Sequence, residues 1–258
     1  MLLALDLGNT HLHVGWFEET ELRATAALRT DLPRTDDEYA LALRQMSEWK
    51  GVAQSPLDGV ILASVVPSAT PTLQSAIRKL TDAPLLTVGP GIKTGFPIRL
   101  DDPSELGADL AANAAGVLSM LSSPAIIADV SCATTVSVID QSGAYVGCCI
   151  LPGVQMSLDA LHGAELLPEL AASGTVPALG KNTVDSMRAG VLRGQAMSIQ
   201  GFFDLHRQTL SLPEQTALIV TGTHAQQLLP YLPKCAKHVP HLTLHGLCAI
   251  YRMNKKKT

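Results

Sequence analysis

Apolar runs separated by short polar breaks recur along the chain, and this pattern predicts strands and helices in alternation. The first apolar run begins at Leu2 and reaches Asp6, and a second run ends near Phe17. The turn between them predicts a β-hairpin with one carboxylate at the end of its first strand. The hairpin contains no Lys or Arg, so a bound phosphate would depend on backbone N–H groups and a cation held by Asp6. An ordinary hairpin turn explains the same pattern.

The second half of the chain repeats this plan. An apolar run from Ile126 ends at Asp129, and small residues and threonines then lead into another apolar run that ends at Asp140. The two aspartates are 123 positions apart (129 − 6), close to half of the 258 residues. This duplication predicts an actin-like α/β fold of the ASKHA (ribonuclease-H-like) class. We expect two similar halves, residues 1–117 and 118–258, around a central cleft that holds nucleotide phosphates.

Other local signals define further elements. Thr35 and Glu38 form a capping box at the start of a helix, and Gly51 ends that helix. Residues 89–102 are rich in Gly and Pro and predict a long loop, which in a compact domain is usually functional. Further strands are predicted at 60–66, 85–88, 125–129, 134–140, 144–151 and 217–221, and further helices at 70–81, 151–166, 184–208 and 244–255.

The helix predicted at 184–208 contains three glycines, Gly190, Gly194 and Gly201. Glycine in a helix interior costs stability, so these positions indicate close packing, for example against another subunit.

A carboxylate in an unusual position marks another predicted helix. Asp102, Pro103 and Glu105 combine an N-cap, a proline at the first helical position and an acidic third position, which predicts a helix start. Small residues at helical spacing follow, and Asp109 lies among them, poorly placed for solvation. A carboxylate there is either an internal cap or a working base, and these residues alone favour neither.

Composition narrows the class of protein. The hydrophobic share of 47% is typical of a soluble globular protein, and the net charge of −4 gives no reason to expect a nucleic-acid partner. We expect no membrane span, because no apolar stretch is long enough to cross a bilayer. The five cysteines form no C-x-x-C pair and no disulfide framework, which indicates a reduced, cytoplasmic protein. Lys255, Lys256 and Lys257 predict a solvated, frayed end.

Nine short motifs in order resemble one family, the type III pantothenate kinases, over nearly the whole chain. Each motif alone is weak, but together and in this order they are specific. They are Asp6–Thr10, Ser64–Pro67, Lys93–Gly95, Gly107–Asp109, Asp129 with Ala133–Thr135, Gly143–Gly147, Ile150–Gly153, Gly180–Thr183 and Leu242–Leu247.

The resemblance implies an actin-like homodimer that binds ATP, Mg²⁺ and a monovalent cation, K⁺ or NH₄⁺. It also implies the phosphorylation of pantothenate at its primary hydroxyl, which gives 4′-phosphopantothenate in the first step of coenzyme A synthesis.

By the same resemblance, Asp109 is similar to the general base and Asp129 to the monovalent-cation ligand, and Asp6 also resembles a metal ligand. Thr183 is similar to a residue that reaches pantothenate across the dimer interface. The remaining positions implied for ATP are Asp6, Leu7, Gly8, Asn9, Thr10, His11, Leu12, His13 and Cys132, and those implied for pantothenate are Leu100, Gly107, Ala108, Asp109 and Leu110.

The sequence departs from the family pattern around the substrate. Leu110 stands where the family usually has Arg, and Leu100 where it usually has Tyr, so a partner for the pantothenate carboxylate is missing. Further departures are Ser131, Cys132, Cys148 and Thr223.

Two hypotheses remain open. In the first, the protein is a pantothenate kinase whose pocket uses other cations, with Arg99 and Lys181 as candidates. In the second, it is a diverged, catalytically altered or inactive relative with a binding or regulatory role. Retention of three aspartates, Asp6, Asp109 and Asp129, favours catalysis, because buried carboxylates are costly without a function.

Overall fold

The structure is a computed structural model that describes residues 1–30, 33–121 and 123–255. The predicted frayed lysines at 256 and 257 lie outside the described residues. The strands are β1 (Leu2–Leu7), β2 (His11–Glu18), β3 (Glu21–Arg29), β4 (Gly59–Ser64), β5 (Leu85–Thr87), β6 (Ala125–Val130), β7 (Ala133–Ile139), β8 (Tyr145–Pro152), β9 (Ala217–Thr221) and β10 (Ala236–His238). The α-helices are α1 (Asp36–Trp49), α2 (Thr70–Leu80), α3 (Ala108–Met120), α4 (Val154–His162), α5 (Thr183–Thr209), α6 (Ala225–Leu228) and α7 (Leu242–Asn254).

The chain forms two compact units. The first contains residues 1–95, 102–120 and those from 242 onwards, and the second contains residues 96–101 and 121–241. The chain passes from the first unit to the second after residue 120, and the expected halves divide after residue 117. Two segments differ from the expected halves, because residues 96–101 join the second unit and α7 joins the first.

The first unit contains a five-stranded sheet in the order β3-β2-β1-β4-β5. β1, β2 and β3 are antiparallel, whereas β4 and β5 run parallel to β1. Leu3, Leu5 and Leu7 of β1 pack with α1 and α2 in one core. Because side chains alternate along a strand, Asp6 points to the opposite face, on which α3 and α7 pack.

The second unit repeats this topology. Its sheet has the order β10-β9-β6-β7-β8, with β6, β7 and β8 antiparallel and β9 and β10 parallel to β6. Ile126, Ala128 and Val130 of β6 belong to the core that includes α5, so Asp129 points to the other face. Asp6 and Asp129 are each the penultimate residue of the central strand of their sheet. The predicted duplication is confirmed.

The packing of α3 on α7 explains why the final helix belongs to the first unit. A Cβ at Gly246 would overlap the carbonyl oxygen of Ala112, and a Cβ at Gly116 would overlap Leu242. The two helix backbones therefore touch directly, as the small residues around Asp109 predict. This contact joins residues more than 120 positions apart, so no local pattern reveals it.

Two predicted helices have wrong bounds. Residues 103–105 form a separate 3₁₀ turn capped by Asp102, whose Oδ1 accepts a hydrogen bond from Ser104 N over 2.8 Å. Leu106 is extended and interrupts the helix, so α3 starts only at Ala108. The helix expected at 151–166 begins only at Val154, because β8 continues to Pro152, and it ends at His162, where Gly163 caps it.

The sequence analysis did not predict β3, β10 or the short helix α6. Residues of β3 are exposed or half-buried throughout, which weakens the alternation of hydrophobic and polar positions. None of the helices in the described ranges is long and apolar enough to cross a membrane. All five cysteines lie within those ranges and are free thiols.

Candidate active site

The turn between β1 and β2 is held by a residue distant in sequence. The Gly8 N–H donates a hydrogen bond to the carbonyl oxygen of His11 over 2.9 Å. The Thr30 hydroxyl donates to the Gly8 carbonyl over 2.8 Å, and the Thr30 N–H donates to the Thr10 carbonyl over 3.0 Å. Asn9 and Thr10 remain exposed at the tip. The turn is thus fixed at its base and presents small polar groups to solvent.

Asp6 lies at the base of this turn. In the sheet it is paired with His13 on β2 and with Ala63 on β4. The rings of His11 and His13 are stacked with their centroids 5.8 Å apart, so both histidines share one face of β2. The eight residues from Asp6 to His13 therefore form one continuous structural element.

Asp109 lies in the first turn of α3, on the side of the first sheet to which Asp6 points. Its Oδ1 accepts a hydrogen bond from the Leu110 N–H over 2.8 Å. Burial raises the pKa of Asp109 above its ordinary value, and hydrogen bonds from the backbone N–H groups of Leu110 and of Asp109 itself offset only part of this rise. A carboxylate with a raised pKa accepts a proton more readily than an ordinary one.

The structure also bears on the two roles left open for Asp109. It occupies the first turn and its carboxylate accepts a hydrogen bond from the N–H of the next residue, so it caps the start of α3, and this capping bond is compatible with a role as a base. One turn later lies Asn113, which is buried, and its Oδ1 accepts a hydrogen bond from the Thr243 hydroxyl over 2.9 Å. The polar groups near the start of α3 are therefore held by both α3 and α7.

Asp129 occupies the corresponding position in the second sheet. It is paired with Thr135 on β7 and with Thr221 on β9. The Ser131 hydroxyl donates to Asp129 Oδ1 over 2.5 Å. Gly222 has a φ of +101°, and a Cβ there would overlap Asp129 Oδ1 and the Val130 backbone. Only glycine fits both this conformation and this space.

The Ser131 hydroxyl contacts Asp129, and Thr135 is its partner on β7. Thr135 Oγ1 is buried and has no hydrogen-bond partner among the residues that the structure describes. A buried hydroxyl without a partner indicates a missing ligand or water. Carboxylate and hydroxyl oxygens are hard donors that suit an alkali cation better than a transition metal. The residues around Asp129 thus fit a hard cation.

The described part of the chain contains no group of three or more His, Cys, Asp or Glu residues that could hold a metal ion. Mg²⁺ is commonly held by one or two carboxylates together with phosphate oxygens of a substrate, and needs no such group. Asp6 at the base of an exposed turn fits that mode of binding.

Residues 131–133 form the second turn. The Ser131 N–H donates to the Ala133 carbonyl over 3.1 Å, and the Cys132 side chain is half-buried. Gly153, the N-cap of α4, lies so close to the Ser131 and Cys132 carbonyls that a Cβ would overlap both. The start of α4 therefore packs directly on the predicted phosphate-binding turn.

The predicted substrate residues fall into both compact units. Gly107, Ala108 and Leu110 flank Asp109 in the first unit, and a Cβ at Gly107 would overlap Asp109 Oδ1. Leu100 and Thr183 belong to the second unit. Thr183 is exposed as the first residue of α5.

Arg99 and Lys181 are the two candidate cations for the pantothenate carboxylate, and Arg99 already forms an ion pair. Its guanidinium donates to Asp140 over 2.7 Å. Asp140 follows the end of β7 that pairs with the start of β6, so Arg99 lies at the end of the second sheet remote from Asp129. Lys181 is exposed next to the N-terminus of α5.

A cavity of about 620 Å³ lies in the first unit away from Asp6. Leu3 and Trp16 line it at the opposite end of the hairpin, together with the C-terminal parts of α1 and α2. It contains none of the predicted site residues.

Two copies of one sheet, each with an aspartate near the end of its central strand, define the actin-like class of α/β proteins. A model of the type III pantothenate kinase family matches residues 2–205 of this chain. The type III pantothenate kinase of Moorella thermoacetica (strain ATCC 39073 / JCM 9320) is 37% identical over 255 residues, which cover 98% of this chain and 100% of that protein. The chain belongs to the type III pantothenate kinase family.

Solved structures support the fold at lower identity. A Baf family protein from Campylobacter jejuni has a TM-score of 0.63 at 18% identity, with coverage of 99% of this chain and 100% of that one. The activator of 2-hydroxyisocaproyl-CoA dehydratase from Clostridium difficile, with ADPNP bound, has a TM-score of 0.54 at 10% identity, with coverage of 100% and 98%. The actin-like fold predicted from the duplicated pattern is confirmed.

Proposed function

We propose that this protein transfers the γ-phosphoryl group of ATP to the primary hydroxyl of pantothenate and releases 4′-phosphopantothenate and ADP. This is the first step of coenzyme A synthesis. The observation that carries the proposal is membership of the type III pantothenate kinase family over nearly the whole chain.

Asp109 is the proposed general base. A primary alcohol is a poor nucleophile, so its proton must leave as the bond to phosphorus forms. Burial raises the pKa of the Asp109 carboxyl, which makes it a stronger base than an ordinary aspartate. The Leu110 N–H holds one carboxylate oxygen, which fixes the orientation of the group and leaves the other oxygen for the hydroxyl proton.

The two turns are the proposed phosphate-binding elements. The first turn, at Asp6–His13, contains no Lys or Arg, so its backbone N–H groups and small polar side chains would contact the phosphates. Asp6 would hold Mg²⁺, and Asp129 with Thr135 would hold K⁺ or NH₄⁺. When bound, these cations would offset the negative charge of the phosphates.

A homodimer is part of the proposal. Among the described residues, nothing lies beside Gly190, Gly194 or Gly201 where a Cβ would stand, so the close packing predicted for them needs another molecule. Met197 on the same helix is 69% exposed. A second copy that covers this surface would bury apolar area and stabilise the assembly. Thr183 would then reach pantothenate bound to the partner.

We also propose that the protein acts in the cytoplasm. Free thiols are typical of a reducing compartment, and all five cysteines of the chain are free.

The test of the function is incubation of the purified protein with ATP, Mg²⁺, K⁺ and pantothenate, followed by mass spectrometry. We expect a product heavier than pantothenate by one phosphoryl group. A parallel reaction with Na⁺ as the only monovalent cation should be much slower, and equal activity there would refute the role of Asp129. No phosphorylated product under any of these conditions would refute the kinase function.

One observation favours a second candidate function, that of a diverged relative which binds a different ligand. Leu110 beside the base offers no charge, and Arg99 is already paired with Asp140. Taking a carboxylate into a pocket without a cation costs several kcal/mol. Lys181 of a partner subunit then remains as the candidate cation for pantothenate.

Calorimetry of pantothenate with the natural protein and with Leu110→Arg separates the two functions. Tight binding to both proteins supports the pantothenate kinase. Binding only to Leu110→Arg supports the diverged relative, for which an uncharged pantetheine should bind the natural protein better than pantothenate does. Lys181→Ala should raise KM for pantothenate and leave KM for ATP nearly unchanged if the kinase proposal holds.

A further inference from the structure

A buried glutamine in the middle of α5 makes one defined polar contact. Gln195 is 8% exposed and lies among apolar residues of this helix. Its Nε2 donates to the Pro152 carbonyl oxygen over 2.5 Å, whereas Oε1 has no hydrogen-bond partner among the described residues. A buried amide costs free energy unless it is hydrogen-bonded. The bond to Pro152 is therefore the contact that accounts for a glutamine at this position.

Pro152 connects this contact to the second turn. It is the last residue of β8 and is paired with Ala133, the residue after Cys132. The next residue, Gly153, lies against the Ser131 and Cys132 carbonyls with no space for a Cβ. Its φ of −70° is open to any residue, so glycine is required here for space and not for conformation. The end of β8 thus packs backbone to backbone on the turn.

The Ser131–Cys132 turn also orients the Asp129 carboxylate. The Ser131 hydroxyl donates to Asp129 Oδ1, and the Ser131 N–H donates to the Ala133 carbonyl. A shift of the Ser131–Cys132 backbone would therefore move both the carboxylate partner and the turn's N–H groups. All of these residues belong to the second compact unit.

We infer that Gln195 is a positioning residue that holds the Ser131–Cys132 turn, and through it Asp129, by fixing Pro152. The inference rests on the proposed function, which assigns this turn to ATP and Asp129 to a monovalent cation. Without the amide donor, the Pro152 carbonyl loses its buried partner, and the end of β8 is held against the turn only by its pairing with Ala133 and by the Gly153 contact. The effect falls on nucleotide and cation binding and spares the base, because Asp109 belongs to the first unit.

The test uses Gln195→Met, which keeps the side-chain length and removes the donor. Gln200→Met on the same helix is the matched control, since Gln200 is exposed. In Gln195→Met we expect KM for ATP and the K⁺ concentration for half-maximal activity to rise up to about tenfold, the effect of one net hydrogen bond. KM for pantothenate should stay within about twofold, and Gln200→Met should match the natural protein in all three quantities.

A second measurement needs no turnover. Amide hydrogen exchange across residues 129–135 should be faster in Gln195→Met than in Gln200→Met, and calorimetry should show weaker binding of a non-hydrolysable ATP analogue. If Gln195→Met does not fold, Gln195→Leu removes the same donor and should give the same pattern. These measurements remain valid if pantothenate is not the substrate, so failure of the proposed function is distinguishable from failure of this inference.

Two outcomes would overturn the role of Gln195. One is unchanged exchange and unchanged ATP binding in a folded Gln195→Met protein. The other is an equal loss in the parameters for ATP, K⁺ and pantothenate, because that pattern indicates general destabilisation and not a positioned turn.

Discussion

The environment of Asp109 acts on its pKa in opposite directions. Burial raises the pKa, and backbone N–H groups at the start of α3 lower it, with burial the larger effect. An ionised carboxylate in this position lowers the stability of the fold, but it is a stronger base than an exposed one. Removing the charge should therefore separate the contribution of Asp109 to turnover from its contribution to folding.

We predict that Asp109→Asn lowers kcat by at least roughly a hundredfold, the usual effect of losing a general base. The melting temperature should not fall, because a neutral amide avoids the cost of an ionised carboxylate in a half-buried position. Steady-state kinetics and thermal unfolding of the same preparation provide the measurement. Asp101→Asn on the preceding exposed loop is the control and should keep full turnover. A folded Asp109→Asn protein with near-normal turnover would exclude Asp109 as the base.

A second prediction concerns pH. The base must be ionised, so turnover should fall on the acid side as the pH drops through the pKa of Asp109, at a higher pH than an ordinary aspartate would give. The folded state holds this proton more tightly than the unfolded chain. Its contribution to stability is therefore present below the ordinary pKa and is lost as pH rises through the raised one.

The pH profile of kcat and the pH dependence of the melting temperature test this prediction. An acid limb at the pKa of an unperturbed aspartate would contradict it. The prediction would also be contradicted if the residual activity of Asp109→Asn showed an acid limb at the same pH as the natural protein.

At the scale of elements, the contact between α3 and α7 positions the start of α3. Gly246 and Gly116 allow the two helix backbones to touch, and Thr243 of α7 holds Asn113 of α3. The helix that carries the proposed base is therefore fixed by a partner from the end of the chain. Interiors are closely packed and cannot absorb an extra methyl group at such a contact without shifts.

We predict that Gly246→Ala lowers the free energy of unfolding by about 1–3 kcal/mol, the usual cost of overpacking. The new Cβ would overlap the Ala112 carbonyl, so α3 has to move. Gly89→Ala is the control, because a Cβ there meets open space and its φ is not in the left-handed region. Chemical denaturation of both proteins measures the difference, and equal midpoints would show that α3 and α7 accommodate the methyl group.

At the scale of the whole molecule, the exposed apolar surface of the second unit points to assembly. It combines the glycines of α5 with Met197 and Leu205 on the same helix. An exposed patch of this kind favours association.

We predict that Met197→Glu weakens the homodimer and lowers turnover in parallel, since Thr183 would no longer reach the partner's substrate. Leu41→Glu on α1 is the matched control, because Leu41 is 60% exposed in the first unit. Light scattering and activity measured over a dilution series test both effects. A fully active monomer would refute the proposed assembly.

The sequence by itself determined the local elements and the duplicated plan. The capping box at Thr35–Glu38 is confirmed, with Thr35 N donating to Glu38 Oε2 over 2.7 Å, because all of its groups lie within four residues. The positions of Asp6 and Asp129 near the ends of β1 and β6 were likewise predictable, since alternation of hydrophobic and polar residues needs only neighbours along the chain.

Only the tertiary structure decided the contacts between distant residues. Three features depend on packing that no local pattern contains. They are the start of α3 at Ala108, the support of the first turn by Thr30 and the close approach of Gly222 to Asp129. The same holds for α7 in the first unit. Hydrogen bonds and caps within one turn are set by neighbouring residues, whereas backbones from distant segments meet only when the sheets and helices have packed.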